Sequence, residues 1–349
     1  MLKAMVYQGE GRAALLQKPR PVIQKPTDAV IRVTLSTICS SDIHILHGAV
    51  PKAVPGVTLG HEFVGIVEET GPAVRSVSVG DRVAVNVETF CGECFFCKRG
   101  YVNNCTDPEG GWSLGCRIDG GQAEYARIPF ADQGLTRIPD EVSDEEALFT
   151  GDLLSTGYWA AQMVEIRKGD TVVVIGAGPA GLCTMLCARL YEPKQIIAID
   201  CMKERLAFAE KYKMADLTFT PDDMDLLEQE IRALTDGRGA DAVVEAAGGT
   251  NTFEMAWRLA RPNAVIGLEA MYEEPQTLPL PDMYGKNLIW KSGGVDACKC
   301  KEILELIREG RLDARPLITH TCTLSEIEKA YRIFENHEDG VMKYAVYPE

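Results

Sequence analysis

The chain has 349 residues, 46% hydrophobic and 25% charged, enough to bury sizeable cores and to divide into two domains. Its formal net charge of -15 argues against a nucleic-acid partner, because such affinity rests on Lys and Arg neutralising phosphates. The same charge favours solubility.

The opening stretch MLKAMVYQGEGRAALLQ has no basic region leading into an unbroken apolar run, so no signal peptide is expected and the expected location is the cytoplasm. The twelve cysteines are then expected to be reduced. Residues 1–152 read as one domain. AVIRVTL, HEFVGIVEE, DRVAVNV and AEYARIP form β-like runs broken by Gly, Pro and Asp, which predicts a barrel-like β domain with long inserted loops. Two short segments in it carry metal-ligating and proton-moving groups: Cys39-Ser40-Ser41-Asp42-Ile43-His44 and Gly60-His61-Glu62. Taken alone, such a histidine is more often a packing or surface residue, and Cys39 a small buried hydrophobe.

A lobe of about residues 88–110 holds CGECFFCKRGYVNNC, which spaces Cys91, Cys94, Cys97 and Cys105 as C-x2-C-x2-C-x7-C. Four thiolates so close together can close a tetrahedron around Zn²⁺ and leave no open position, so the run reads as a structural clamp. An iron–sulfur cluster would take the same ligands, but no second cluster pattern or adjacent proline accompanies them. Trp112 follows in EGGWSLG, where taken alone a tryptophan is more often a core or interface residue than a substrate contact.

Residues 153–296 change to alternating strands and helices, which predicts a parallel sheet covered on both faces. Thr171 to Tyr191 is apolar enough to be weighed as a membrane span, but Gly176, Gly178, Pro179, Gly181 and Arg189 interrupt it. It reads as a strand, a turn and a buried helix. Gly176-Ala177-Gly178-Pro179-Ala180-Gly181 directly follows the strand TVVVI and opens the helix, the context in which G-x-G-x-x-G admits a dinucleotide pyrophosphate. Asp200 closes the next strand, nineteen residues past Gly181, where a carboxylate accepts both adenosine ribose hydroxyls and disfavours a 2′-phosphate. That predicts NAD(H). Arg205 is read either as lining the adenosine pocket or as a solvated helix charge. Residues 297–349, led by the helical CKEILELIREG, read as a C-terminal segment of mixed strand and helix.

Together TICSSDIH, GHEFVGIVEETG, CGECFFC, DGGQAEYARIP, GDLLSTGYWA and VVVIGAGPAGL resemble, in order and over nearly the whole chain, the zinc-dependent medium-chain alcohol dehydrogenases. The resemblance implies an α/β architecture, a GroES-like β-barrel catalytic domain plus a Rossmann doubly wound cofactor domain, with residues 297–349 returning to the catalytic domain. It implies two zinc ions per chain and NAD(H). Cys39, His61 and Asp152 would bind the catalytic zinc, in the branch that places Asp where the Cys₂His version has a second cysteine. Glu62 would be an exchangeable fourth ligand or a neighbouring carboxylate. Ser41 and His44 match the family's proton relay, although Ser41 also suits a backbone cap. Asp42 matches a position that orients the His61 ring, Thr156, Gly157, Gly293 and Gly294 fall near the nicotinamide, and Trp112 resembles a bulky substrate-pocket residue of the Asp-ligand branch. The substrate class implied is a secondary alcohol and its ketone, with a polyol or amino alcohol as runner-up. A homo-oligomer, tetramer or dimer, is expected, with no nucleic-acid and no membrane partner. A nucleotide-sensing protein without catalysis is the rival from another class, opposed by the presence of Cys39, His61, Glu62 and Asp152.

Overall fold

The computed structural model describes residues 1–296 and 299–348. The expected start of the C-terminal segment, residue 297, lies outside them. The chain divides into two compact units, one of residues 1–155 with 295–349 and one of residues 156–294.

The first unit opens with an antiparallel hairpin of β1 (Leu2–Gly9) and β2 (Arg12–Lys18), which the sequence reading did not foresee. β3 (Ala29–Ser36) is followed by helix α1 (Ser40–Leu46), and β4 (Phe63–Thr70) then returns antiparallel on β3 with Ser36 opposite Phe63. His61 and Glu62, expected inside this strand, precede it. The pairing therefore brings the residue just past β3 and those just before β4 to one end of the sheet. β5 (Arg82–Val85) pairs with β4. β6 (Glu88–Thr89) and β7 (Gly111–Trp112) form a small ladder flanking the cysteine lobe. β8 (Tyr125–Ile128) pairs with β3, and β9 (Leu135–Arg137) with β5. Alternate residues of these strands point inward, and Ile31, Val33, Phe63, Val67, Val83, Val85 and Ile128 make the core.

The second unit is a six-stranded parallel sheet of β10 (Thr171–Ile175), β11 (Gln195–Ile199), β12 (Leu217–Phe219), β13 (Ala240–Glu245), β14 (Ala260–Leu268) and β15 (Ile289–Ser292). Its order, β12-β11-β10-β13-β14-β15, is the doubly wound pattern whose strand sequence reverses beside β10. Central β10 is buried at all five positions, as the unbroken apolar run TVVVI requires of a strand covered on both faces. Helices Pro179–Ala188, Lys203–Lys211 and Met224–Leu234 connect successive strands.

Beyond residue 299 the chain rejoins the first unit. β16 (Ile318–Thr323) pairs in parallel with β17 (Lys343–Tyr347), and Val346 of β17 lies opposite Ser36 of β3. This brings the start of β17 to the sheet end that holds His61. Among the described residues no helix is long and apolar enough to cross a membrane.

Candidate metal and dinucleotide sites

Cys39 is the residue before α1, and its N–H donates to Asp42 Oδ2 at 3.0 Å, fixing the first turn of a short helix. Thr37 N–H donates to the Glu62 carbonyl at 3.2 Å, tying this entry to the segment before β4. Asp152 arrives from another direction, where Val87 N–H donates to the Gly151 carbonyl at 3.0 Å beyond β5. Cys39, His61, Glu62 and Asp152 thereby bring one ligand atom each within 4.8 Å of the others. His61 Nε2 lies 3.3 Å from Asp152 Oδ2, and its far nitrogen, Nδ1, lies 3.4 Å from Asp42 Oδ1.

The ring is thus aimed from behind. Asp42 is itself fixed by the Gln122 amide, which donates to its Oδ2 at 3.0 Å, while the Tyr331 hydroxyl donates to Gln122 Oε1 at 2.7 Å. All three lie in the interior. Such a chain settles which imidazole nitrogen faces a metal.

Charge in this pocket is unusual. Burial works against a charged His61, yet Asp42, Asp152 and Cys39 outweigh it and raise the ring well above its ordinary range. Burial likewise raises Glu62, against the pull of Lys343. Lys343 is 1% exposed and donates to Glu62 Oε1 and to the Ile38 carbonyl at 3.0 Å; burial works against its charge, but Glu62 and Cys39 outweigh it and raise the ammonium above its ordinary range. One thiol, one imidazole and two carboxyl groups, His61 and Glu62 buried and Cys39 and Asp152 half-buried, form the mixed donor set that zinc takes in catalytic sites.

The second group is all sulfur. Cys91, Cys94, Cys97 and Cys105 also bring their ligand atoms within 4.8 Å. Cys94 and Cys97 sulfurs are 3.4 Å apart and those of Cys91 and Cys105 3.6 Å, close to the edge of about 3.8 Å for a tetrahedron with Zn–S near 2.3 Å. Backbone N–H groups of Cys91 and Cys97 point at sulfurs, as thiolates require. Hydrogen bonds from the Cys97 and Thr106 backbone lower Cys94 to about 5, whereas burial and then Cys94 push Cys97 up to about 12. A dication would relieve that crowding.

In the second unit Gly176 has φ +102°, a turn that a side chain would strain, and a Cβ on Gly181 would meet the Gly176 carbonyl at 1.9 Å. The helix therefore starts flush against β10. Gly178 precedes it and Pro179 fills its first turn, leaving Ala180 and Gly181 in the turn that would receive a pyrophosphate. Asp200 accepts from the Ala177 N–H at 2.7 Å and the Met202 N–H at 2.8 Å, so it also braces the glycine loop. Arg205 lies 3.9 Å from Asp200 and borders Gly178. Thr156 sits in the helix Leu153–Met163, whose Gly157 packs against Cys183 and Thr184 of the helix after the loop. We expect Gly181→Ala to weaken NADH binding at least about tenfold, read by NADH fluorescence titration, because the Cβ collides with backbone that cannot yield.

The N-terminal part of the chain, residues 25–140, matches the alcohol dehydrogenase GroES-like domain, and residues 179–295 match the zinc-binding dehydrogenase domain. An alcohol dehydrogenase of Cupriavidus necator is 37% identical over 368 residues, covering 100% of this chain and 99% of its own. The chain belongs to the zinc-dependent medium-chain alcohol dehydrogenases. It is an oxidoreductase with the family's two-domain α/β fold, its zinc and its nicotinamide dinucleotide. Zinc-dependent alcohol dehydrogenase 2 of Streptococcus pneumonia, in its apo form, is 36% identical with a TM-score of 0.93, over 99% of this chain and 98% of that one. The rspB alcohol dehydrogenase of Escherichia coli CFT073, complexed with NADH, is 28% identical with a TM-score of 0.89 over 99% of each.

Trp112, left undecided by sequence, has its ring edge-on to His61, 5.4 Å between centroids. Ser41 Oγ is 3.8 Å from the Cys39 sulfur, and His44 stands one turn further on the same short helix. Sequence reasoning missed Gln122, Tyr331 and Lys343. A signal existed for two of them: Gln122 stands within DGGQAEYARIP, and Lys343 opens the otherwise apolar strand KYAVY.

Proposed function

We propose that this dehydrogenase oxidises a secondary alcohol to its ketone, or reverses that reaction, with NAD(H). The observation that carries the reading is the convergence of Cys39, His61, Glu62 and Asp152, with Asp42 behind the ring of His61. Cys39, His61 and Asp152 hold the catalytic zinc, and Cys91, Cys94, Cys97 and Cys105 hold the structural one. When bound, zinc supplies a Lewis acid for the substrate oxygen and the nicotinamide supplies the hydride acceptor.

The protein's own groups do the rest. Lys343 holds one oxygen of Glu62 and so favours a three-ligand set with a place for substrate. Ser41 Oγ takes the alcohol proton and His44 releases it to solvent. Gly176, Gly178, Pro179, Ala180 and Gly181 seat the pyrophosphate, and Asp200 takes the ribose hydroxyls, with Arg205 and Thr156 lining the dinucleotide site. Asp200 supports NAD(H) over NADP(H), because a 2′-phosphate would face its carboxylate. Two thiolate-bearing sites fit a reducing compartment such as the cytoplasm.

The zinc-loaded protein, given a panel of secondary alcohols and followed by absorbance of the reduced nicotinamide, is expected to turn over with NAD⁺ at least about tenfold more efficiently than with NADP⁺. No turnover of any alcohol with two zincs bound would refute the proposal, and a preference for NADP⁺ would refute the part played by Asp200.

A further inference from the structure

Beside the metal-ligand cluster, the buried polar atoms without a hydrogen-bond partner among the described residues include Glu88 Oε2 and Trp112 Nε1, with Arg117 Nε in the same group. Glu88 is 5% exposed. Glu88 and Trp112 stand directly opposite each other on β6 and β7, and directly opposed residues of an antiparallel pair emerge side by side on one face. The ring of Trp112 packs on His61, so that face looks toward the metal donors.

The electrostatics agree with this placement. Burial raises Glu88 to about 8; Asp152 and Asp296 add to the rise, and Arg117 and His61 oppose it. The cation in that group, Arg117, directs its guanidinium to Ser113 Oγ at 2.7 Å and to the Pro108 and Gly110 carbonyls, and forms no salt bridge with Glu88. A buried carboxyl oxygen left without a hydrogen bond is costly unless something outside the chain completes it.

We infer that Glu88, together with Trp112, determines substrate specificity at this site by selecting a secondary alcohol that carries a second hydroxyl beside the reacting one. A hydroxyl answers both groups at once, donating to Glu88 Oε2 and accepting from Trp112 Nε1. An ammonium group satisfies Glu88 alone, and a methyl group satisfies neither. The inference rests on the dehydrogenase reading. The reacting carbinol gives its hydride to NAD⁺ and its proton to Ser41, leaving a ketone, and the second hydroxyl takes part in binding only. The product is an α-hydroxyketone.

The test compares 2,3-butanediol with 2-butanol as substrates for the zinc-loaded protein and NAD⁺. We expect kcat/KM for the diol to exceed that for 2-butanol by at least about 100-fold, since a site built to hydrogen-bond a hydroxyl rejects the analogue that lacks it. Glu88→Leu, close in shape and without the carboxyl, is expected to abolish the preference by lowering kcat/KM for the diol. Trp112→Phe keeps the ring and removes the donor, and is expected to lower the preference about tenfold. Equal wild-type efficiency on both alcohols overturns the inference and leaves the dehydrogenase reading standing. Equal loss on both in Glu88→Leu also overturns it, since that marks a structural role. No oxidation of either alcohol, nor of any other in the panel, overturns the dehydrogenase reading itself.

Discussion

Asp152→Ala is expected to lower kcat/KM for alcohol oxidation at least about a thousandfold and to reduce bound zinc from two ions per chain to one. The magnitude follows from what the change removes. Asp152 is one of two carboxylates in the donor set, and its oxygen lies 3.3 Å from His61 Nε2, so both groups converge on one point. Without it a thiol and an imidazole remain beside a Glu62 already engaged by Lys343, a set too small to hold zinc firmly. Loss of Lewis-acid help at the substrate oxygen removes several kcal/mol of transition-state stabilisation, and about 4 kcal/mol corresponds to a thousandfold. The four-cysteine site shares no residue with this cluster, so the remaining zinc stays and the thermal midpoint moves little. Asp42→Asn makes the contrast. It leaves every donor in place and loosens only the aim of His61, and should cost about 10–100-fold. Metal analysis beside steady-state kinetics reads both variants. A fully active Asp152→Ala with one zinc would place the chemistry elsewhere.

What could be read from sequence divides according to distance along the chain. The glycine loop, its strand and its helix are contiguous, so turn chemistry and periodicity place them together without knowledge of the tertiary fold. The cysteine run is local in the same way. Cys39, His61 and Asp152 come from three separate segments, and nothing in their spacing joins them. The family resemblance grouped them, and the pairing of Ser36 with Phe63 supplies the physical reason that two of the segments meet. Lys343 lies 281 positions from Glu62, and Tyr331 lies 209 from Gln122, beyond the reach of any local pattern. The first hairpin escaped notice because β1 is buried on both faces over most of its length and shows no polar alternation. Three-residue β12 was too short to register. Nothing in the local sequence singles out Glu88 at the edge of the cysteine lobe, and only its cross-strand partner and burial bring it to notice.

Lys343→Ala is expected to destabilise the protein by about 3–5 kcal/mol, measured as a shift in the urea midpoint at constant slope. Lys343 and Glu62 are each about 1% exposed, so their pairing is screened little by water or salt. Deleting the ammonium leaves a carboxylate in the interior without its counter-ion, which costs far more than the pair itself contributes. The Lys343 chain also spans toward Phe149, with its nitrogen 5.6 Å from the ring centroid, so some packing is lost as well. A second substitution separates the two causes. Adding Glu62→Gln to Lys343→Ala removes the stranded charge without restoring packing, and should recover more than half of the lost stability. Glu62→Gln alone leaves an unpaired buried ammonium and is expected to be destabilising, so the cycle should show strong coupling. If the double variant were no more stable than Lys343→Ala, the loss would be one of packing, and Lys343 would not be what keeps Glu62 ionised beside the metal donors.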